Sequence, residues 1–282
     1  MYIEYKNSLG SVIMQGNSAS LLRVTAADGL GIAEREYTAA VFAGYDGQET
    51  VTSRALPRCI TLSTEICGKE ISAQLHRVLR VLSAPGYLYL GYKTANRRIF
   101  CNQTKIPDPV RVLKGKISTL AVQFVCDNPY FGDANETCVA LYKRTKELSS
   151  PFTLPGVFGT TTTGSQLFNK GDIAAEPIVR IICPVALDSA ESVVISNLTT
   201  GKKLQFSCTP GEGEEIVIDI PNRKIYGSSI GNMLGFLSDD SFLGDFVLAP
   251  GENILTVAVD DVTSGFTVEC TYNNLYSEAV EV

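Results

Sequence analysis

The chain has 282 residues, of which 45% are hydrophobic and 19% are charged, and its mean hydropathy is +0.10. This composition predicts a globular protein with one large core or two ordinary ones, and no apolar run approaches the roughly 20 residues that would span a bilayer. The formal net charge of −6 is uneven, because residues 1–145 hold 17 Lys and Arg against 12 Asp and Glu (+5), whereas residues 146–282 hold 7 against 18 (−11). Two bodies with different surfaces are therefore expected.

The lack of a secretory signal at the start of the sequence and the pattern of cysteines predict synthesis in a cytoplasm. The first residues lack the basic end and apolar block of a secretory signal. The eight cysteines are widely spread with no C-x-x-C pair, and the single histidine cannot complete a zinc site. We expect buried, reduced thiols and no metal or other cofactor.

The first half is predicted to be a sheet with one helix, of α+β type. The segment Thr38–Leu62 has Asp46-Gly47 inside and is typical of a hairpin or an extended arm. Apolar residues at helical spacing predict a helix over about 69–84, which Pro85-Gly86 ends. The remaining predicted strands are Tyr87–Lys93 and Arg97–Asn102, joined as a hairpin, and Lys116–Cys126.

The strand that leads to Cys126 shows the clearest period-two pattern of the chain. Leu120, Val122, Phe124 and Cys126 alternate with polar or smaller residues, so that one face packs inward. Pro129 cannot donate to a sheet, and the strand must end nearby. We interpret this strand as the last one of a first domain.

The second half is predicted to be a β-sandwich that follows a linker. Residues 147–164 are rich in Pro, Gly and Thr and have no usable period, as in a linker. Short strands without an intervening helix follow it, and this pattern is typical of a sandwich. They are predicted at 176–184, 192–198 paired with 203–208, 215–220 paired with 224–226, 245–248, 253–259 and 265–272.

Serine-hydrolase chemistry is not supported by the one motif that suggests it. Gly227–Gly231 fits G-x-S-x-G with Ser229 as the nucleophile, but such hydrolases place the histidine after the serine. His76 precedes it and lies opposite the apolar stripe of the helix, so a surface histidine is the favoured interpretation.

Phosphate, cation and nucleic-acid sites are not supported either. Gly159–Ser165 imitates a phosphate-binding loop but has a serine in place of the required lysine. Asp239-Asp240 and Asp260-Asp261 lack the spacing of a calcium loop, and solvated turns are favoured. The clusters Arg97-Arg98 and 111–116 are too short for a basic stripe, so we interpret them as solvated faces or subunit contacts.

Motifs in both halves resemble a known family in the expected order. They are Arg58–Leu62, Pro85-Gly86 and Phe124–Phe131 in the first half, and Phe168–Asp172, Glu176–Val179, Ile218–Ile220 with Arg223, and Leu248–Asn253 in the second. Together they resemble the distal tail proteins of long-tailed bacteriophages over nearly the whole chain. The positions that carry the resemblance are Arg58, Ile60, Asp127, Pro129, Tyr130, Gly171, Asp172, Pro177, Asp219, Gly251 and Asn253.

The resemblance implies a structural role in a virion, at the distal end of the tail, without catalysis. Such proteins form a hexameric ring that connects the tail tube protein to the tail-tip or baseplate proteins and to receptor-binding proteins. Residues 1–146 would be the ring-forming domain and residues 165–282 an outward, galectin-like or carbohydrate-module-like β-sandwich. The arm within Thr38–Arg54 would contact a neighbouring subunit.

Two other functions remain open at this point. The sandwich could bind host-surface saccharide weakly through Tyr226, Phe236 or Tyr272, although each aromatic could instead be a core residue and the chain has no tryptophan. A hydrolase built on Ser229 ranks last. Sequence-specific nucleic-acid binding and membrane insertion are not expected.

Overall fold

The computed structural model describes residues 1–16, 20, 22–44, 46–67, 70–91, 96–112, 117–145, 160–183, 191–208, 211–259 and 267–279. They form a mainly β protein, which confirms the predicted fold class. The chain divides into two compact units: unit 1 comprises residues 1–134 and 276–282, and unit 2 comprises residues 135–275.

Unit 1 contains twelve strands and a helix among its described residues. They are β1 (Tyr2–Asn7), β2 (Gly10–Gln15), β3 (Arg23–Asp28), β4 (Arg35–Ala40), β5 (Glu49–Ala55), β6 (Arg58–Cys67), α1 (Ile71–Leu82), β7 (Gly86–Gly91), β8 (Arg97–Cys101), β9 (Gln103–Lys105), β10 (Val110–Val112), β11 (Ile117–Cys126) and β12 (Phe131–Asp133). The helix and the β7–β8 hairpin lie where the sequence predicts them.

Two sheets and the helix enclose the core of unit 1. One sheet has the order β2-β1-β7-β8-β12 and continues with β24 (Leu275–Tyr276), and the other has the order β10-β11-β6-β3, with β9 also paired to β11. Alternate residues of β11 are buried, as the period-two pattern predicts. The rings of Tyr5 on β1 and Phe124 on β11 lie 5.2 Å apart, so the two sheets contribute side chains to one core.

Unit 2 is built from two sheets that share one hydrophobic core, as expected of a sandwich. Its strands are β13 (Thr137–Thr145), β14 (Thr160–Thr162), β15 (Gly164–Asn169), β16 (Ile178–Cys183), β17 (Glu191–Asn197), β18 (Lys202–Cys208), β19 (Glu214–Asp219), β20 (Lys224–Gly227), β21 (Gly231–Asn232), β22 (Gly251–Val259) and β23 (Thr267–Tyr272). The orders are β14-β13-β23-β16-β19-β20-β21 and β15-β22-β17-β18. The predicted pairs β17–β18 and β19–β20 are both present.

The compact units differ from the expected boundaries. β13 pairs with β23 over Thr137–Lys143, so residues expected at the end of the first domain belong to the sandwich. Residues 160–164, expected in the linker, contribute to β14 and β15, whereas residues 146–159 lie outside the described part of the chain. β13 was not predicted, because it pairs with residues more than 120 positions away and such pairing leaves no local signal in the sequence.

Two further details correct the sequence analysis. β12 follows β11 within unit 1, so β11 is not its last strand. The predicted strand 245–248 is instead a short 3-10 turn at Leu243–Asp245, followed by a single bridge from Leu248 to Ala175.

Candidate functional site

Arg58 lies at the centre of a buried cluster in unit 1, which we call the Arg58 site. Its guanidinium donates hydrogen bonds to the carbonyl oxygens of Pro129 (2.7 Å), Gly29 (2.7 Å), Gly31 (2.5 Å) and Ser277 (2.6 Å). It also lies over the ring of Phe131, 4.6 Å from the centroid. The side chain therefore joins three segments that are distant from it and from one another in sequence, around residues 29–31, 129–131 and 277.

The electrostatics of the Arg58 site follow from burial. Only 4% of Arg58 is exposed, and burial lowers the pKa of its guanidinium, while the neighbouring Cys126 acts in the opposite direction. Four carbonyl dipoles and an aromatic face compensate the desolvated cation. The arrangement holds backbone together, and its donors are directed at protein carbonyls rather than at a ligand.

The turn after β11 is shaped by its own polar residues. The amide of Tyr130 donates to Oδ1 of Asn128 (3.1 Å), and the amide of Asp127 donates to Oδ1 of Asn102 (3.0 Å). Pro129 is buried and Asp127 is exposed. The structure thus brings Arg58 and Pro129 into contact, while Ile60 is fully buried opposite Phe124 in the β6–β11 ladder.

A second buried arginine in unit 1 corrects the interpretation of the basic clusters. Arg97 is 5% exposed, donates to the carbonyl of Glu278 (2.6 Å) and lies 3.7 Å from the centroid of the Tyr276 ring. It is not part of a solvated face, because it binds the chain segment that returns to unit 1. Arg98 instead lies over the ring of Tyr87, 4.9 Å from the centroid.

Gly171 and Asn169 form a tightly packed corner of unit 2. Asn169 is 1% exposed, donates to the carbonyls of Ile173 (2.9 Å) and Leu248 (3.0 Å), and accepts from the Gly171 amide (2.9 Å). A Cβ on Gly171 would lie 2.2 Å from the carbonyl oxygen of Leu275, so only glycine fits. Nearby, Pro177 is buried and Asp172 is exposed.

The remaining positions of the family resemblance shape turns in unit 2. Asp219 accepts from the amide (3.1 Å) and the side chain (2.9 Å) of Asn222 in the β19–β20 turn. Asn253 is fully buried; it donates to the carbonyls of Ala249 (2.7 Å) and Gly251 (3.1 Å) and accepts from the Ala249 amide (2.9 Å). Gly251 has a φ of 91°, which favours glycine. These positions support the fold and do not form one ligand site.

The β4–β5 hairpin, which we call the arm, is the most exposed element of unit 1. Its strands pair only with each other among the described residues, and nearly every residue of both strands is exposed. Four large apolar side chains on it are exposed: Tyr37 (62%), Val41 (74%), Phe42 (54%) and Val51 (62%). Its ion pair, Arg54 with Glu36 at 2.6 Å, is also open to water. The arm overlaps the predicted segment 38–62 but begins earlier, at Arg35, and the end of that segment belongs to the core because β6 begins at Arg58.

A groove of about 460 Å³ lies on unit 2, at the end of the four-stranded sheet. Phe242, which is 64% exposed, lines it together with Asp240 and Lys203, and Lys202 forms an ion pair with Asp245 (2.8 Å) beside them. Leu198, 60% exposed, supplies a further apolar surface. The groove therefore combines an accessible aromatic ring with carboxylates and ammonium groups.

The aromatic residues proposed from the sequence for saccharide binding do not line this groove. Tyr272 is 4% exposed and its hydroxyl donates to the Phe168 carbonyl (3.1 Å), so it is a core residue. Tyr226 and Phe236 are 45% and 44% exposed. The sequence did not predict that Phe242 is exposed, because a single aromatic residue in a loop belongs to no periodic pattern that would distinguish a surface position from a core position.

Ser229 does not have the surroundings of a nucleophile. Its hydroxyl donates to the carboxylate of Glu214, and its amide donates to Oε1 of the same side chain (3.0 Å). Glu214 is 2% exposed, so the glycine-rich loop serves to satisfy a buried carboxylate. His76 is exposed on α1, in unit 1, as predicted.

The other motifs have structural positions where they are described. Thr160–Thr162 is a strand, and the Ser165 hydroxyl, in β15, donates to the Ala140 carbonyl (2.7 Å), so the described residues of the phosphate-loop motif, 160–165, lie in or between strands. Asp239 is exposed, and Asp260-Asp261 lies outside the described residues. Within the described part of the chain, no group of three or more His, Cys, Asp and Glu residues could hold a metal.

The described residues include no helix long and apolar enough to cross a membrane.

Comparison with known proteins finds likeness in structure and not in sequence. No family model and no curated protein matches the chain. The crystal structure of SPP1 Dit (gp 19.1), described as a paradigm of the hub adsorption apparatus in phages that infect Gram-positive hosts, matches with a TM-score of 0.62 at 14% identity, over 90% of this chain and 93% of that one. The phage P2 baseplate in its activated conformation with Ca matches with a TM-score of 0.52 at 12% identity, over 97% of each chain.

Proposed function

We propose that this chain is a virion structural protein, a distal tail hub that forms a hexameric ring between the tail tube protein and the tail-tip or baseplate proteins. The observation that carries the proposal is the likeness of fold to SPP1 Dit across both units, over 90% of this chain and 93% of that one. The motif order of the sequence supports the same family. In this role the protein binds other proteins, including receptor-binding proteins, and performs no catalysis.

Unit 1 forms the ring in this proposal, and unit 2 faces outward. A ring requires a heterologous interface, in which one surface of a subunit contacts a different surface of the next. The arm offers such a surface. A two-stranded hairpin alone is only marginally stable, and burial of its exposed apolar side chains against a neighbouring subunit would stabilise it. Tyr37, Val41, Phe42 and Val51 supply apolar area, and the strand edges can extend a neighbour's sheet.

The ring is tested by measuring the mass of the assembled protein. Mass photometry and analytical ultracentrifugation across a wide concentration range should show a species of six chains, each of 30.4 kDa. Negative-stain images of that species should show rings. A protein that stays monomeric at every concentration would contradict the proposal.

The arm contact is tested by a charge placed on its apolar surface. Val51→Asp should shift the mass distribution from the hexamer to smaller species, because a buried unpaired carboxylate is costly at an interface. Ile230→Asp, at a residue of unit 2 that is 43% exposed, is the matched control and should leave the hexamer intact. Equal hexamer fractions in both variants would remove the arm from the interface but not the ring itself.

A second candidate function, weak binding of host-surface saccharide by unit 2, is favoured by the groove. Sugar rings present an apolar face to an aromatic side chain and hydroxyls to charged groups, and Phe242, Asp240 and Lys203 offer both. The full chain on a glycan array should give saturable binding that Phe242→Ala abolishes. Phe236→Ala, at a ring 44% exposed outside the groove, should leave it unchanged. If no glycan on the array binds, the saccharide function is contradicted and the tail hub remains as the proposed function.

A further inference from the structure

Two cysteine thiols meet inside the core of unit 1. Sγ of Cys101 and Sγ of Cys126 lie 3.6 Å apart, and the Cys126 thiol donates a hydrogen bond to Cys101. Both residues are fully buried. A disulfide has its sulfurs about 2.05 Å apart, so a shift of roughly 1.5 Å would bring the pair to bonding distance.

The two cysteines belong to different sheets. Cys101 ends β8 in the six-stranded sheet, and Cys126 ends β11 in the sheet of β6 and β10, 25 residues later. A bond between them would link the two layers of the core covalently. It would also fix the start of the turn 127–130, which Arg58 holds through the Pro129 carbonyl.

The surroundings of the two thiols shift their pKa values in opposite directions. When Cys126 is ionised, the Cys101 thiol becomes the donor of the hydrogen bond between them, and this bond, with the Arg58 guanidinium as a smaller influence, lowers the pKa of Cys126, although burial opposes them. The same hydrogen bond and burial raise the pKa of Cys101. Cys126 is therefore the thiol that forms a thiolate first, and the thiolate is the nucleophile of disulfide exchange.

We propose that Cys101 and Cys126 form an intramolecular disulfide when the protein is transferred from a reducing to an oxidising medium. The reaction forms one S–S bond and breaks two S–H bonds. The two thiols give up two electrons and two protons, and a small-molecule disulfide such as oxidised glutathione accepts them and becomes two thiols.

The test compares the full chain before and after oxidation. Purified protein is incubated with oxidised glutathione, its remaining thiols are alkylated under denaturing conditions, and it is digested without reduction. Trypsin cuts after Arg98 and Lys105 and so isolates Cys101, and a chymotryptic cut after Phe131 separates Cys126 from Cys138. The expected product is a linked peptide pair containing Cys101 and Cys126, which dithiothreitol separates.

Thermal unfolding supplies an independent readout. Closing a loop of about 25 residues should raise the midpoint of the unit 1 transition by roughly 10 °C, and dithiothreitol should reverse the rise. Cys126→Ser should show neither the link nor the rise. Cys183→Ser, which removes a buried thiol of unit 2, should behave like the parent protein in the unit 1 transition.

Three outcomes would overturn the inference. The first is that both thiols remain alkylatable after prolonged oxidation. The second is that either cysteine links to another partner instead. The third is that Cys126→Ser shows the same reversible rise in the midpoint as the parent protein.

Discussion

Removal of the Arg58 guanidinium should destabilise unit 1 substantially. Arg58→Ala leaves four carbonyl oxygens without their donor and removes the cation over Phe131. At about 1 kcal/mol for each net hydrogen bond, the free energy of unfolding should fall by about 4 kcal/mol. For a unit of this size, that loss lowers the midpoint of thermal unfolding by roughly 12 °C.

Calorimetry of the full chain, with circular dichroism as a second probe, measures this loss. The lowered midpoint should belong to the unit 1 transition, and amide hydrogen exchange should accelerate in the turn 127–130 and in β12. Arg58→Lys keeps the charge but replaces a planar fork with a single ammonium, so it should recover less than half of the loss. Arg54→Ala, at an arginine whose ion pair is exposed, should cost no more than about 0.5 kcal/mol.

A loss below about 1 kcal/mol in Arg58→Ala would refute the reasoning. It would mean that water reaches the four carbonyls as readily as the guanidinium does. A loss confined to the unit 2 transition would refute it as well, because every partner of Arg58 lies in unit 1.

Three further predictions concern single residues. In urea titrations, Gly171→Ala should lower the free energy of unfolding by more than about 2 kcal/mol, because the added Cβ would overlap a carbonyl oxygen. The control Gly211→Ala, with open space around the added Cβ, should change it by less than about 0.5 kcal/mol. Asn253→Ala should lower the stability of unit 2 by about 2–4 kcal/mol by leaving buried backbone groups unpaired, and Asn222→Ala, at an exposed turn, by no more than about 1 kcal/mol. Burial raises the pKa of Tyr5 to about 12 from the usual 10, so its contribution is intact below pH 10 and is lost as the pH rises through 12. Between those values, urea titrations of the parent protein should show a steeper loss of stability with pH than those of Tyr5→Phe, by up to about 1.4 kcal/mol per pH unit, and equal slopes would contradict this assignment.

Local patterns predicted the helix and about half of the described strands, but they missed others, among them β1, β2, β3 and β13, and the boundary between the two units. The alternation in β11 and the stripe of α1 are written in neighbouring residues, and both elements lie where expected. The pairing of β13 with β23 depends on residues more than 120 positions apart. Such a pairing follows from the closing of a whole sandwich, so a composition change near 146 gave the wrong boundary.

The sequence was least informative about which polar residues are buried. Arg58 and Arg97 are each the first residue of a strand, yet only the folded chain shows backbone carbonyls accepting hydrogen bonds from their guanidiniums. The arm was predictable because Asp46-Gly47 and the flanking strands are local features, whereas the exposure of its apolar residues became visible only when the rest of unit 1 had its core. Phe242 gave no signal, since its groove is formed by three separate loops and strands.

The return of residues 276–279 to unit 1 imposes an order on biosynthesis. The carbonyl of Ser277 completes the Arg58 site, that of Glu278 accepts from Arg97, and the amide of Ala279 donates to the Leu30 carbonyl (2.9 Å). A ribosome delivers these residues only after it has translated all of unit 2. The native contacts of unit 1 are therefore complete only after unit 2 has been synthesised. This differs from the common order, in which the amino-terminal domain of a protein folds first during translation.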